Sequence, residues 1–172
     1  MEPCMIHTAY LSLGSNLGDR RENLREAVTR LSLLGEVTAK SSLYETDPVE
    51  VLDQPCFLNA AVALKTELEP AVFLREILAL EKSMGRIRTR PKGARMIDID
   101  IVLFDDVIVE EPGLTIPHPA MHERMFVLAP LAEIARDVVH PRLHRKISEL
   151  RDELRACGQT VRRLHAPWAN DV

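Results

Sequence analysis

Residues 85–104, GRIRTRPKGARMIDIDIVLF, join a basic segment to an acidic β-strand. The second part, residues 96–104, is a nearly unbroken apolar run rich in Ile and Val, which is typical of a strand buried on both faces. Asp98 and Asp100 interrupt this run. Because successive side chains of a strand alternate between its faces, both carboxylates lie on one face, with their Cα atoms roughly 6 to 7 Å apart. Burying two such charges costs several kcal/mol per ion unless cations compensate them.

The segment before this strand is strongly basic. Residues 75–95 contain only two acidic side chains, Glu76 and Glu81. Their basic side chains are Arg75, Lys82, Arg86, Arg88, Arg90, Lys92 and Arg95. A basic loop that leads into an acidic strand suits a polyphosphate carried by Mg²⁺, because carboxylates bind the metal and guanidinium groups hold phosphate oxygens. In the alternative interpretation, Asp98 and Asp100 form only a buried ion network with Arg95 and its neighbours.

Length and composition indicate a single globular domain over residues 1–172. The formal net charge of -4 argues against general affinity for nucleic acid, so the basic segment is interpreted as a local site. The three cysteines lack metal-ligand spacing and fit a reducing cytosol. The sequence has neither a secretory signal pattern nor an apolar run long enough to span a bilayer. We therefore expect a cytoplasmic, monomeric protein that binds neither nucleic acid nor membrane.

The order of the predicted elements indicates an α+β fold. Residues 8–13, 37–44, 57–64 and 96–104 read as strands, and helical periodicity separates the first from the second and the third from the fourth. This βαββαβ order predicts a ferredoxin-like core sheet, mostly antiparallel and flanked by helices in αβα layers. We expect the acidic strand to be central in that sheet.

Local signals predict where the two helices begin and end. Asp19 is expected to cap the first helix, with Glu22 completing a capping box, and Gly35 is expected to end it. Pro70 suits the first position of the second helix, because proline fixes a helical φ and the missing N–H has no partner there.

The rest of the chain adds shorter elements. Asp105-Asp106 predicts a hairpin turn into a strand over residues 107–109. Further predicted elements are an extended segment at 114–119 and helices at 123–135, where Pro130 causes a kink or ends a first turn, and at 147–154. The tail through Trp168 carries no functional signal.

Several residues admit two interpretations. The Gly-rich segment at 14–18 either cradles phosphate or is a tight turn that requires a positive φ. Asn59 either satisfies local backbone groups or binds the edge of a heterocycle. His118 and His122 have the i, i+4 spacing of zinc ligands, but Pro119 disfavours a helical His118, so we favour it as a phosphate or ribose donor.

Three functional classes are compatible with these residues. The first is a Mg²⁺-dependent phosphoryl or pyrophosphoryl transferase. The second is a metal-dependent phosphohydrolase that uses Asp98, Asp100 and the histidines, and the third is a non-catalytic ligand-binding module on a ferredoxin-like sheet. Two costly carboxylates beside many arginines favour the transferase.

The motif KGARMIDIDIV at residues 92–102 closely resembles the signature of the 6-hydroxymethyl-7,8-dihydropterin pyrophosphokinase family of folate biosynthesis. Other segments similar to that family follow in its order: AYLSLGSNL at 9–17, YET at 44–46, FLNAAVAL at 57–64, LTIPH at 114–118 and PLAEIA at 130–135. The resemblance covers about residues 8–140 and leaves residues 141–172 outside.

The resemblance implies an ATP-dependent diphosphokinase that transfers pyrophosphate from ATP to the hydroxymethyl oxygen of the reduced pterin and releases AMP. It implies that Asp98 and Asp100 bind two Mg²⁺ ions that arrive with ATP. The implied catalytic arginines are Arg86, Arg88 and Arg95. The implied nucleotide contacts are Glu81, Arg95, His118 and Arg124. The implied pterin contacts are Phe57 and Phe126 as stacking rings, Asn59 at the ring edge, and backbone groups near Gly14, Thr46 and Val49.

Overall fold

The computed structural model describes residues 5–46, 56–85, 96–165 and 168. The elements formed by these residues are, in order, β1 (His7–Ser15), α1 (Arg20–Leu31), β2 (Glu36–Lys40), β3 (Leu43–Thr46), β4 (Phe57–Thr66), α2 (Pro70–Ser83), β5 (Asp98–Phe104), β6 (Val109–Glu111), β7 (Leu114–Ile116), a 3₁₀ turn (Met121–Glu123), α3 (Met125–Ala135), α4 (Ile147–Ala156) and β8 (Arg162–Leu164). The basic segment at residues 86–95 and the segment at residues 47–55 lie outside the described residues.

Six strands form one antiparallel sheet, in the spatial order β5-β1-β4-β3-β8, with β2 also pairing with β4. Because β2 and β3 both pair with β4, they share the place of a single strand. The first five strands and α1 and α2 therefore make the βαββαβ core of a ferredoxin-like fold, and the predicted fold class is confirmed.

The expectation that the acidic strand is central was wrong. β5 lies at one end of the sheet and pairs only with β1 among the described strands, whereas β1 and β4 occupy the middle. The apolar pattern of β5 indicates that both of its faces are covered by helices. It does not indicate whether a strand pairs with each of its edges. Its outer edge is covered by other groups, which protects an edge strand from pairing with a second chain. The Ile99 N–H donates to Glu81 Oε2 at 3.0 Å, and the Val102 carbonyl accepts from the His118 N–H at 3.0 Å.

Helices cover both faces of the sheet. One face, with alternate residues of β1, β4 and β5, packs against buried side chains of α1 and α2 such as Leu24 and Phe73. The other face packs against α3 and α4 through residues such as Leu128, Leu131 and Ile147. The αβα layering expected from sequence is therefore present, and a strand in this sheet is buried on both sides.

The predicted starts of both helices are confirmed, but one predicted end was wrong. The Asp19 carboxylate accepts from the Glu22 N–H at 3.1 Å at the start of α1, and Pro70 is the first residue of α2. α1 ends at Leu31, before Gly35. Gly35 instead lies against β4, where an added Cβ would sit 2.0 Å from the Lys65 carbonyl oxygen. A glycine is required there for close approach, not to end a helix.

The strand expected over residues 37–44 is divided into β2 and β3. The interruption falls at Ser41, whose hydroxyl accepts from the Ala61 N–H at 2.8 Å and donates to the Ser42 carbonyl at 2.7 Å. The Ala61 N–H is thus bonded to a side-chain oxygen and not to a strand carbonyl. Hydrogen bonds of this kind from serine interrupt the regular pattern between two strands.

The hairpin predicted at Asp105-Asp106 was also wrong. Asp105 does turn the chain, with φ 48°, but β6 does not return along β5 and pairs with β7 in a separate two-stranded sheet. The hairpin lies one turn later, at Pro112-Gly113, where Gly113 has φ 81°. The Pro-Gly dipeptide is a strong turn signal, and the prediction based on Asp105-Asp106 did not take it into account.

The C-terminal region adds structure that the sequence did not suggest. β8 pairs with β3 and extends the sheet beyond it, and Trp168 is buried, with its indole N–H donating to the Ser41 carbonyl at 2.7 Å. α3 continues through Pro130 to Ala135, so this proline does not end a first turn. Within the described ranges, no helix has both the length and the apolar character needed to cross a membrane.

Candidate active site

The two aspartates of β5 share one face, as predicted. Ile97, Ile99 and Ile101 are buried in the cluster formed with α1 and α2. Asp98 and Asp100 alternate with them and therefore face the α3 side of the sheet, where both are half-buried. The strand pattern alone was sufficient for this prediction, because side-chain alternation is a local property of the backbone.

The strand register brings three predicted site residues into one row. Asn59 of β4 lies opposite Gly14 of β1, and Gly14 lies opposite Asp98 of β5. Residues directly opposite in an antiparallel sheet point to the same face. Asp98 and the Asn59 carboxamide therefore stand on the same face, separated by the width of one strand that carries no side chain at Gly14.

Gly14 is required by a close approach. It lies within β1, and a Cβ there would sit 3.0 Å from Asn59 Oδ1 and 3.6 Å from Phe57 Cδ1. The expectation of a positive φ in this segment holds at Gly18, which has φ 73°, and not at Gly14. The missing side chain leaves a shallow floor between Asn59 and the aspartates.

Asn59 is almost fully buried, with 3% of its surface exposed, and its amide group donates to Thr46 Oγ1 at 2.8 Å. Thr46 lies opposite Phe57, which is half-buried on the same face as Asn59. The bond to Thr46 fixes the orientation of the carboxamide, so its oxygen is held over Gly14. A fixed amide beside an aromatic ring can both read the edge of a flat heterocycle and contact its face.

His118, Arg124 and Phe126 form a second group of predicted site residues, within electrostatic range of Asp98 through His118, and His118 and Arg124 are referred to as the wall of the site. His118 Nδ1 accepts from the Ala120 N–H at 3.1 Å, which assigns the proton to Nε2 and makes that nitrogen a donor. Burial lowers the pKa of His118, the charge of Arg124 lowers it further, and Asp98 partly offsets both effects. The imidazole is therefore neutral near pH 7. The Arg124 guanidinium lies 5.6 Å from the centre of the Phe126 ring, within cation–π range.

The zinc interpretation of the two histidines finds no support. His122 packs edge-on against His140, with ring centres 6.3 Å apart, and its nearest acidic partner is Glu123. Among the residues that the structure places, no three His, Cys, Asp or Glu side chains come together as a metal site.

Glu81 is buried beside the outer edge of β5, where its carboxylate accepts from the Ile99 N–H. This bond supports the strand that carries the aspartates. Its predicted contact with nucleotide stays a prediction. Four other residues singled out from the sequence, Val49, Arg86, Arg88 and Arg95, lie outside the described residues.

The donor set of the aspartate pair fits Mg²⁺. Carboxylate oxygens are the hard ligands this ion prefers, and Mg²⁺ in proteins is usually held by one or two carboxylates together with substrate phosphates and water. Asp98 and Asp100 provide two carboxylates on one face, and Asp98 acts electrostatically on His118, whose imidazole suits phosphate oxygens. The residues present therefore fit a metal ion whose remaining coordination positions are filled by phosphate oxygens.

Two further residues near the site, each with two contacts, were not predicted from the sequence. Arg20 donates through Nη1 to the Cys56 carbonyl at 2.9 Å and pairs through Nη2 with Glu45 at 2.9 Å. The Gln159 carboxamide accepts from the Met125 N–H at 3.2 Å and donates to the Glu123 carbonyl at 3.1 Å, on either side of Arg124. Their partners are far away in the chain, so no spacing rule could have indicated them.

Comparison with known proteins gives a consistent result. The family model HPPK, 7,8-dihydro-6-hydroxymethylpterin-pyrophosphokinase, matches residues 10–136. The 2-amino-4-hydroxy-6-hydroxymethyldihydropteridine pyrophosphokinase of Bacillus subtilis is 48% identical over 136 residues, which are 78% of this chain and 81% of that protein. The same-named protein of Haemophilus influenzae is 43% identical and is covered over 85% of its length.

Other relatives are much longer than this chain. The folic acid synthesis protein fol1 of Schizosaccharomyces pombe is 44% identical over 152 residues, but these are only 21% of its length. A crystal structure of wild-type Plasmodium falciparum HPPK-DHPS with pteroate superposes with a TM-score of 0.73 over 89% of this chain and 45% of that one. At 18% identity this likeness supports the fold alone. The family match over residues 10–136, and a 48% identical relative that the chain covers over four fifths of its length, show that this chain belongs to the 7,8-dihydro-6-hydroxymethylpterin-pyrophosphokinase family, the one its sequence predicts.

Proposed function

We propose that the protein transfers the terminal pyrophosphoryl group of ATP to the hydroxymethyl oxygen of 6-hydroxymethyl-7,8-dihydropterin. The pterin oxygen bonds to the β-phosphorus, the bond between that phosphorus and the α,β-bridging oxygen breaks, and the hydroxyl proton is released. The products are AMP and the pterin diphosphate used in folate biosynthesis. The supporting observation is the row of Asn59, Gly14 and Asp98 on one face of the sheet.

The spacing in this row suits a bicyclic ring. Asn59 and Asp98 lie on strands separated by β1, and two strand spacings amount to roughly 10 Å. A pterin whose amide edge meets Asn59 would extend across Gly14 and bring its hydroxymethyl group toward the aspartates. Phe57 lies beside Gly14, and Phe126 packs against the Arg124 guanidinium; we propose that the two rings hold the heterocycle by stacking.

The wall formed by His118 and Arg124 suits the triphosphate. A neutral imidazole that donates through Nε2 forms hydrogen bonds to phosphate or ribose oxygens without adding charge. The Arg124 guanidinium supplies a permanent positive charge beside it. Arg95, with Arg86 and Arg88, is proposed to complete this charge from the segment outside the described residues.

We further propose that Asp98 and Asp100 hold the Mg²⁺ ions that arrive with ATP, two in number. When bound, these ions neutralise phosphate charge and make the transferred phosphorus more electrophilic. The contribution of the chain is to keep both carboxylates on a covered strand, half-buried, where electrostatic interactions are stronger than in water. The Ile99 N–H bond to Glu81 holds that strand in place.

The decisive experiment measures products from ATP and the hydroxymethyl pterin in the presence of Mg²⁺. Formation of AMP and pterin diphosphate in equal amounts, and only when both substrates are present, is the expected result. Release of inorganic phosphate from ATP without pterin would instead indicate the phosphohydrolase. Binding of pterin without any product would indicate the non-catalytic module.

The remaining expectations concern organisation in the cell. We infer one domain over residues 1–172 from length and composition and a cytoplasmic location from the cysteine pattern, and we propose that the protein is a monomer. Sedimentation of the purified protein tests the monomer directly, and a concentration-dependent mass of twice the chain would contradict it.

A further inference from the structure

The start of α1 is tied to both strands that border the proposed pterin site. Arg20, the first residue of α1, uses its two terminal nitrogens on different strands. Nη1 donates to the carbonyl of Cys56, the residue before β4, and Nη2 pairs with the carboxylate of Glu45 in β3, each at 2.9 Å. The guanidinium reaches the two acceptors from two separate nitrogens in a rigid plane, whereas a lysine ammonium presents its three donors from a single atom.

These two contacts lie next to the residues proposed to bind pterin. Glu45 precedes Thr46, and Cys56 precedes Phe57. Thr46 and Phe57 form the last described pair of the β3–β4 ladder, and Thr46 Oγ1 orients the Asn59 carboxamide. The two Arg20 contacts therefore join β3 and β4 directly beside this pair.

Arg20 acts from the opposite side of the sheet. Glu45 alternates with Thr46 and lies opposite Leu58, which is buried in the cluster with α1 and α2. Thr46, Phe57 and Asn59 point to the other face, where the ligand is proposed to lie. Arg20 therefore holds the strand ends together from behind and does not lie on the ligand face.

The ion pair remains charged at working pH. Hydrogen bonding to Arg162 and to Arg20 holds the pKa of Glu45 below its ordinary value, although burial works against this. Arg162 reaches the same carboxylate at 2.8 Å from β8, but 59% of its side chain is exposed against 30% for Arg20. Loss of Arg20 therefore leaves Glu45 with one cation, which limits the damage to folding.

We propose that Arg20 is a positioning residue for pterin binding: by bonding Glu45 and Cys56 together, it keeps Thr46, Phe57 and Asn59 in the arrangement that receives the ring. The proposal rests on the pyrophosphokinase function proposed above. It assigns to α1 a role in selecting the pterin, although the ligand contacts come from the strands.

Steady-state kinetics of Arg20→Ala test this role. We expect the KM for pterin to rise about tenfold, while the KM for ATP and kcat stay within about twofold, because a displacement of the order of an ångström weakens the ground-state contacts of one substrate only. Loss of folded protein alone would lower the apparent kcat and leave both KM values unchanged. Arg20→Lys should recover only part of the effect, since it keeps the charge but lacks the two separate nitrogens that reach Glu45 and Cys56.

Arg162→Ala is the matched control, because it removes the other ion pair to Glu45 and leaves the bond to Cys56. Its KM for pterin should stay within about twofold of wild type. Equal effects of the two variants, an unchanged pterin KM in Arg20→Ala, or equal increases for ATP and pterin would each overturn the proposal.

Hydrogen exchange separates this proposal from the function on which it rests. In Arg20→Ala, backbone amides over residues 44–46 and 57–59 should exchange faster than in wild type and in Arg162→Ala. If wild type lacks pyrophosphokinase activity but this difference is present, the proposed function is wrong. The conclusion that Arg20 holds β3 and β4 together then still stands. If wild type is active and exchange is unchanged, the positioning role is wrong.

Discussion

At Gly14, a single absent Cβ leaves room for Asn59 Oδ1, which would otherwise lie 3.0 Å from it. This distance is closer than carbon and oxygen ordinarily approach, so an alanine would displace the carboxamide by a few tenths of an ångström. Because the other end of the Asn59 amide is bonded to Thr46, the shift would also strain that bond. One residue therefore determines both the open floor of the site and the position of its amide.

Gly14→Ala and Asn59→Ala should weaken the same interaction. Each is expected to reduce pterin affinity by about tenfold or more, the effect of one lost or misaligned hydrogen bond to a buried polar group. Affinity for a non-hydrolysable ATP analogue should stay the same, because neither residue lies on the wall formed by His118 and Arg124. Calorimetry with each ligand alone measures both values, and a parallel loss of ATP affinity would contradict the assignment.

Asp100→Asn tests the metal assignment with almost no change of shape. An amide cannot replace a carboxylate as a Mg²⁺ ligand here, so turnover should fall at least about a hundredfold, or ~3 kcal/mol in the barrier. Removing one of two neighbouring negative charges should leave the thermal midpoint of the metal-free protein equal or higher. A single-turnover assay across a magnesium titration measures this, and wild-type activity at saturating metal would contradict it.

At the scale of elements, the C-terminal region stabilises the sheet beside the site. β8 extends the sheet at β3, and Trp168 is packed into the main core with its indole bonded to the Ser41 carbonyl. Lys40 lies 5.2 Å from the indole ring. The Trp168 bond falls at the point where β2 ends and β3 begins, so the tail supports the division of that strand.

Trp168→Ala should destabilise the protein by about 3–5 kcal/mol, the usual cost of truncating a buried tryptophan. Trp168→Phe keeps most of the packing and loses the indole bond, so its cost should be nearer ~1 kcal/mol. Urea denaturation of both variants gives these values. A loss below about 1 kcal/mol in the alanine variant would show that the indole is not part of the core.

At the scale of the whole molecule, His7 links three distant parts of the chain. Its Nδ1 is 2.6 Å from Asp105 in the turn after β5, and its Nε2 is 3.3 Å from Glu69 before α2. The ring also packs at 5.0 Å from Phe104. These contacts lie at the end of β1 and β5 opposite to the aspartate pair, so they act on stability away from the proposed chemistry.

The hydrogen bond to Asp105 raises the pKa of His7 above 6.5, with Glu69 adding to the effect and burial opposing it. A raised native-state pKa stabilises the fold fully below the unfolded pKa, and this contribution is lost as pH rises through the native pKa. The difference in unfolding free energy between wild type and His7→Gln should therefore be larger at pH 6 than at pH 9. Denaturant titrations across this range measure it.

Replacement of the exposed His165 by Gln serves as the control. The change with pH in the stability difference from wild type should be larger for His7→Gln than for this variant. A His7→Gln difference that grows with pH would contradict the ion-pair assignment.

The amino-acid sequence by itself determined the βαββαβ order of the core, the shared face of Asp98 and Asp100, the cap at Asp19 and membership of the family. These features depend on side-chain alternation, helix-end chemistry and short motifs, which are local along the chain. The predicted roles of Asn59, His118 and Arg124 came from the family resemblance and stay predictions, although the structure puts Asn59 in one row with Asp98 and His118 within electrostatic range of Asp98.

Only the tertiary structure decided that β5 is an edge strand, that Gly14 faces Asn59, and that Arg20 joins Glu45 to Cys56. Which strands pair, and which long-range hydrogen bonds form, depends on how all elements together satisfy their polar edges and bury their apolar faces. The residues adjacent in sequence do not contain this information. For the same reason Gly35 was taken as a helix end, although its conformation is decided by the approach of Lys65 from a strand far along the chain.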